Sequence, residues 1–95
     1  MSRMTNREIA TRVCRMAWKG NGVSRTACSM RAVERTLSAI WSKMKRWQFT
    51  RAEALAASGL SKSIFGQSLH VLVRFSGLFE RTHQGHYRMV KPGWI

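Results

Sequence analysis

Ile9, Val13, Met16 and Ala17 recur at spacings of three and four, the period that gathers apolar side chains on one face of a helix. Thr5 followed by Glu8 forms a capping box that opens this helix, and Gly20-Asn21-Gly22 closes it, because both residue types tolerate left-handed backbone. Arg12, Arg15 and Lys19 form a second stripe beside the apolar one. Met30, Val33, Leu37, Ile40, Trp41 and Met44 keep the same period and predict a second helix, opening at Ser29 or as early as Ser24. Arg31, Arg35 and Arg46, with Ser38 and Ser42 between them, fall on its wet face. Trp47-Gln48-Phe49 breaks the pattern and reads as a short extended piece.

Thr50 and Glu53 make a second capping box and open a short helix through Ala57. Gly59 stands where a helix end favours a residue without a side chain, Leu60 is the buried residue of the turn, and Ser61 caps the next helix. That helix carries Phe65, Leu69 and Leu72 inward and stops at Ser76-Gly77. Beyond Gly77 the period falls to two. Residues 78–83 and 86–90 read as strands joined by a Gln84-Gly85 turn, which predicts Thr82 opposite Tyr87 and Phe79 opposite Val90. Arg81 and Arg88 are then also opposed, a like-charge pair that phosphate would neutralise. The tail 91–95 carries Trp94, which can fold back onto the body.

Charge changes the picture more than any motif does. The 95 residues hold 17 Lys+Arg against 4 Asp+Glu, a net +13, and a balance of this kind points to an anionic partner, nucleic acid first. Residues 1–46 contain eleven of the basic residues and two glutamates, so most of the attraction is expected outside the C-terminal half. There is no Asp, which removes catalysis built on Asp clusters with metal ions, and no phosphate-gripping Gly-rich Lys-Ser/Thr motif. The four glutamates have local roles in caps and beside the wing arginines, so no catalytic residue is assigned and no enzyme activity is expected. Cys14 and Cys28 match no metal spacing and are read as buried thiols of a cytoplasmic protein. A zinc site from His70, His83 and His86 has no cysteine to complete it, so neither metal nor cofactor is assigned. The longest aliphatic run is Val71-Leu72-Val73, and no membrane partner is expected.

Helix, short strand, short helix, Gly59-Leu60-Ser61 turn, longer helix and hairpin, over residues 29–90, resemble the winged helix-turn-helix superfamily of DNA-binding domains. The likeness rests on residues 49–69 and the hairpin behind them, and covers about two-thirds of the chain. It implies a single mainly α domain with a small β-hairpin (an α+β fold), extended by a basic N-terminal helix and loop over 1–22 and closed by the tail. The helix after the turn then faces a major groove with Lys62, Ser63, Gly66, Gln67 and His70, Lys62 suiting guanine edges and Gln67 adenine edges. Gly66 either lets a nucleic-acid backbone approach closely or packs under a neighbouring side chain. The wing contributes Arg81, His83, Gln84, His86 and Arg88, and Arg51, Arg12, Arg15 and Lys19 complete the proposed contacts.

The function this implies is non-enzymatic, sequence-specific binding of double-stranded DNA by a small transcription or replication regulator of a phage, plasmid or bacterium, working at the nucleoid in the cytoplasm. Two alternatives stay open. One is an interaction module for a protein partner or a second copy of the chain. The other is an RNA-binding protein, for which Trp18 is the candidate stacking surface. A weak self-similarity sets Ala27-Cys28-Ser29 against Gly59-Leu60-Ser61 and Leu37 against Leu69, so residues 1–46 can also be read as a degenerate first helix-turn-helix.

Overall fold

The computed structural model describes residues 5–19 and 29–90. The Gly20-Asn21-Gly22 stop, Cys28, most of the segment behind the proposed repeat, and the Trp94 tail lie outside them. The fold is mainly helical with one small antiparallel sheet. In chain order it runs α1 (Asn6–Trp18), α2 (Met30–Lys43), β1 (Gln48–Thr50), α3 (Arg51–Ser58), α4 (Lys62–Val71), a π-helical turn (Leu72–Ser76), β2 (Phe79–His83) and β3 (His86–Met89).

Local chemistry sets the helix ends. Thr5 and Glu8 close a full capping box on α1, while Ser29, Thr50 and Ser61 each accept a backbone N–H three residues on. Gly59 ends α3 at φ 70° and Gly77 ends the π-helical turn at φ 70°, left-handed conformations in which a side chain is strained. Two readings of α2 change. Met30, placed on its buried face, is 40% exposed because it is the first helical residue. Arg46 is not on the helix at all, since α2 ends at Lys43. Leu60 in the α3–α4 turn is half-buried.

The core lies where the helices meet the sheet. Ile9, Val13 and Ala17 of α1, Val33, Leu37 and Ile40 of α2, and Phe65, Leu69 and Leu72 around α4 are all buried. Phe49 of β1 joins them with its ring stacked on Tyr87 at 5.3 Å and edge-on to Phe79 at 5.4 Å. Trp41 donates its indole N–H to Asn6 Oδ1 at 2.8 Å, tying α1 to α2.

The sheet order is β1-β3-β2, so the extended piece expected at 47–49 is a third strand, set one residue later at Gln48–Thr50 and pairing with β3. The hairpin register differs from the sequence reading. His83 pairs with His86 around the Gln84-Gly85 turn, but a bulge between Arg81 and His83 shifts the rest, so Phe79 faces Met89, Glu80 faces Arg88 and Arg81 faces Tyr87. The physical reason is phase. A two-residue turn without a bulge would put Phe79 on the opposite face from Tyr87 and Met89, and all three pack toward the core. The extra residue reconciles the turn with the core. As a result Arg81 and Arg88 are not opposed: Arg88 forms an ion pair with Glu80, and Arg81 stands on the other face beside Tyr87. Among the described residues no helix is long and apolar enough to cross a membrane.

Candidate nucleic-acid interface

The outward face of α4 begins at its cap. Ser61 Oγ accepts the Ile64 N–H at 3.3 Å, which starts the helix so that Lys62 and Ser63 stand exposed in its first turn. Burial of Phe65, Ser68 and Leu69 turns Gln67 and His70 to the same wet side. Ile64 is also 46% exposed, at the edge of this face beyond Gln67, and the sequence pattern gave no reason to single it out.

Gly66 is half-buried, and its neighbour is Arg51. A Cβ built on Gly66 would stand 2.9 Å from Arg51 Nη2. The same guanidinium lies over the Phe65 ring, 5.5 Å from its centroid. The space left by the missing side chain therefore receives an arginine of α3. Of the two readings of Gly66, this is packing under a neighbour. Arg51, Gly66 and His70 line a cleft with Arg81 and Tyr87 of the hairpin. One helix, the start of another and one strand thus bring two guanidinium groups and an imidazole around a single depression.

The wing tip is polar and exposed at His83, Gln84 and His86. The two imidazoles stack with centroids 4.0 Å apart, and Thr82 at the bulge donates its hydroxyl to the His86 carbonyl at 3.3 Å. Arg88 shares the His86 face of β3, where it pairs with Glu80, and so lies on the face of the sheet opposite Arg81 and the α4 cleft. Arg12 and Arg15 line a separate open groove on α1 with Thr5, Arg7 and Met16, and Lys19 caps that helix. No residue of α4 or the hairpin lines that groove.

At the start of α3, Thr50 Oγ accepts the Glu53 N–H at 3.2 Å and donates to Glu53 Oε1 at 2.8 Å. The hydrogen bond from Thr50, helped by Lys45 and Lys43, holds the Glu53 carboxyl below its ordinary range. Cys14 is buried on α1. Among the described residues no three His, Cys or Glu side chains come together as a metal site. Trp18, the candidate stacking surface, is half-buried and packs against the core. The exposed indole is that of Trp47, at 69%. The chain matches no protein-family model, no curated protein and no solved structure.

Proposed function

We propose that this chain is a non-enzymatic, sequence-specific double-stranded DNA-binding protein of the winged helix-turn-helix kind, with α4 as the reading helix and the β2–β3 hairpin as the wing. The order of elements and the β1-β3-β2 sheet support that reading. The observation that carries it is the cleft in which Arg51, Gly66, His70 and Arg81 meet, beside the exposed Lys62, Ser63 and Gln67. Base edges in a major groove need donors and acceptors on a narrow convex element, and α4 supplies lysine, serine and glutamine there. Phosphates on either side need fixed cations, which Arg51 and Arg81 supply, with His83, Gln84 and His86 reaching further along the backbone. The Arg12, Arg15 and Lys19 surface adds attraction to any duplex. A small regulator of transcription or replication in a phage, plasmid or bacterium, acting at the nucleoid, is the setting this chemistry suits.

The test is selection from a pool of random duplexes at two salt concentrations. Enrichment of one consensus site, lost when Gln67 is replaced by Ala, supports the reading. Binding without any enrichment makes the protein a non-specific coat, and no binding to duplex at all favours a protein partner.

A further inference from the structure

The chain leaves α2 through a tight reversal. Lys45 and Gln48 exchange both backbone hydrogen bonds, at 2.8 and 2.9 Å. Between them Arg46 and Trp47 have φ of 51° and 65°, and among the described residues they are the only non-glycines with positive φ. Two consecutive positive φ in a two-residue loop belong to the type I′ turn, which Asn-Gly fills without strain and Arg-Trp does not. Strain of this kind persists where neighbouring structure enforces it, and it collects at binding sites. Enforcement is visible: the Trp47 carbonyl accepts the Met89 N–H at 2.8 Å, which anchors the turn to the central strand.

The strained turn lifts an indole into solvent. Trp47 is more exposed than Met30 or Ile64, the other large apolar side chains on the described surface. It lines a groove with Arg46, Gln48, Arg88 and Met89, and the Glu80 carboxylate fixes Arg88 at that groove. Lys43 and Lys45 stand exposed just before it. An aliphatic partner would have no use for four cations, and a bare phosphate would have no use for an indole. A nucleotide has both a flat π face and an anion. In a duplex the base faces are covered by their neighbours, so the indole requires an unpaired base.

We propose that the Arg46-Trp47 turn is a binding site for single-stranded nucleic acid, with the Trp47 indole stacked on an unpaired base and Lys45, Arg46 and Arg88 on the flanking phosphates. The site is separate from the α4 cleft and does not depend on the duplex reading.

The experiment uses the full chain with fluorescent oligo-dT and oligo-U of about 12 nucleotides, and a blunt duplex, followed by anisotropy. Trp47→Gly removes the stacking surface and also relieves the turn. It should melt at or above the wild-type temperature, weaken binding of the single strands about tenfold or more, and leave the duplex within about twofold. Trp47→Phe should retain most of the single-strand affinity. The dT and U arms separate DNA from RNA as the source of the strand. Unchanged single-strand binding in Trp47→Gly overturns the proposal, as does a parallel loss on the duplex or a large drop in melting temperature that makes Trp47 a structural anchor. Failure of the duplex reading would instead appear as absent duplex binding in the wild-type protein, with the single-strand arms intact.

Discussion

At the scale of single residues, Gly66 and Arg51 carry a separable test. A helical glycine in the middle of α4 costs about 1 kcal/mol relative to alanine. The atom a new methyl would meet, Arg51 Nη2, is the far end of a flexible side chain and can swing away. Gly66→Ala should therefore fold at least as well as the wild type, gaining up to about 1 kcal/mol in a denaturant melt. The displaced guanidinium would no longer lie over Phe65, so duplex affinity should fall even though no contacting side chain has been removed. A variant that loses stability instead would show that Arg51 cannot leave, and that the glycine is a packing requirement of the core. Glu53 is the second residue-scale case. Its carboxyl is held below the ordinary value of 4.5, first by the Thr50 hydroxyl. A depressed folded value means stability that is present above about pH 4.5 and drains away as the pH falls through the folded value. The destabilisation caused by Glu53→Gln, measured by urea melts, should thus shrink from pH 7 to about pH 3. A difference that does not change with pH would assign the cost to shape rather than charge.

Elements were legible where their signals are local. Thr5–Glu8, Ser29, Thr50–Glu53 and Ser61 each sit within one turn of the backbone donors they satisfy, so sequence spacing alone locates the helix starts. Gly59 and Gly77 mark ends for an equally local reason. The sheet was harder. Pairing of Gln48 with Arg88 joins segments far apart in sequence, and nothing near Gln48 announces its partner. The hairpin register did contain its own clue. Phe79, Tyr87 and Met89 all need the core face, and an unbulged Gln84-Gly85 turn cannot give it to them, so the conflict of phase called for the bulge at Thr82. Its consequence reaches the site, since the shift sends Arg81 to the α4 cleft and Arg88 to Glu80. Trp47 lay hidden for the opposite reason. A type I′ turn is read from Asn-Gly, and Arg-Trp gives no such signal, so the most exposed aromatic of the described chain sat in what looked like the start of a strand.

On the scale of the whole molecule, three depressions among the described residues carry guanidinium groups: Arg7, Arg12 and Arg15 on α1, Arg51 and Arg81 between α4 and the hairpin, and Arg46 and Arg88 beside Trp47. Total charge alone, +13, cannot say which of these a duplex would meet. Salt dependence combined with single substitutions can. About six phosphate contacts would lower duplex affinity roughly a thousandfold between 50 and 200 mM salt. Removing one phosphate contact should lower the slope of log affinity against log salt by about one and weaken every sequence alike. Arg81→Ala, in the α4 cleft, should behave in that way. Arg88→Ala, on the far face of the sheet and paired with Glu80, should leave the duplex slope unchanged. Gln67→Ala should show the third pattern, with the slope intact and about 1–3 kcal/mol lost on the preferred site but little on random duplex. Arg15→Ala reports on the α1 groove: a fall in slope equal to that of Arg81→Ala would mean that the duplex runs from the α4 cleft onto α1. Should Arg88→Ala cut the slope while Arg81→Ala does not, the duplex lies on the outer face of the sheet, and α4 is not the reading helix.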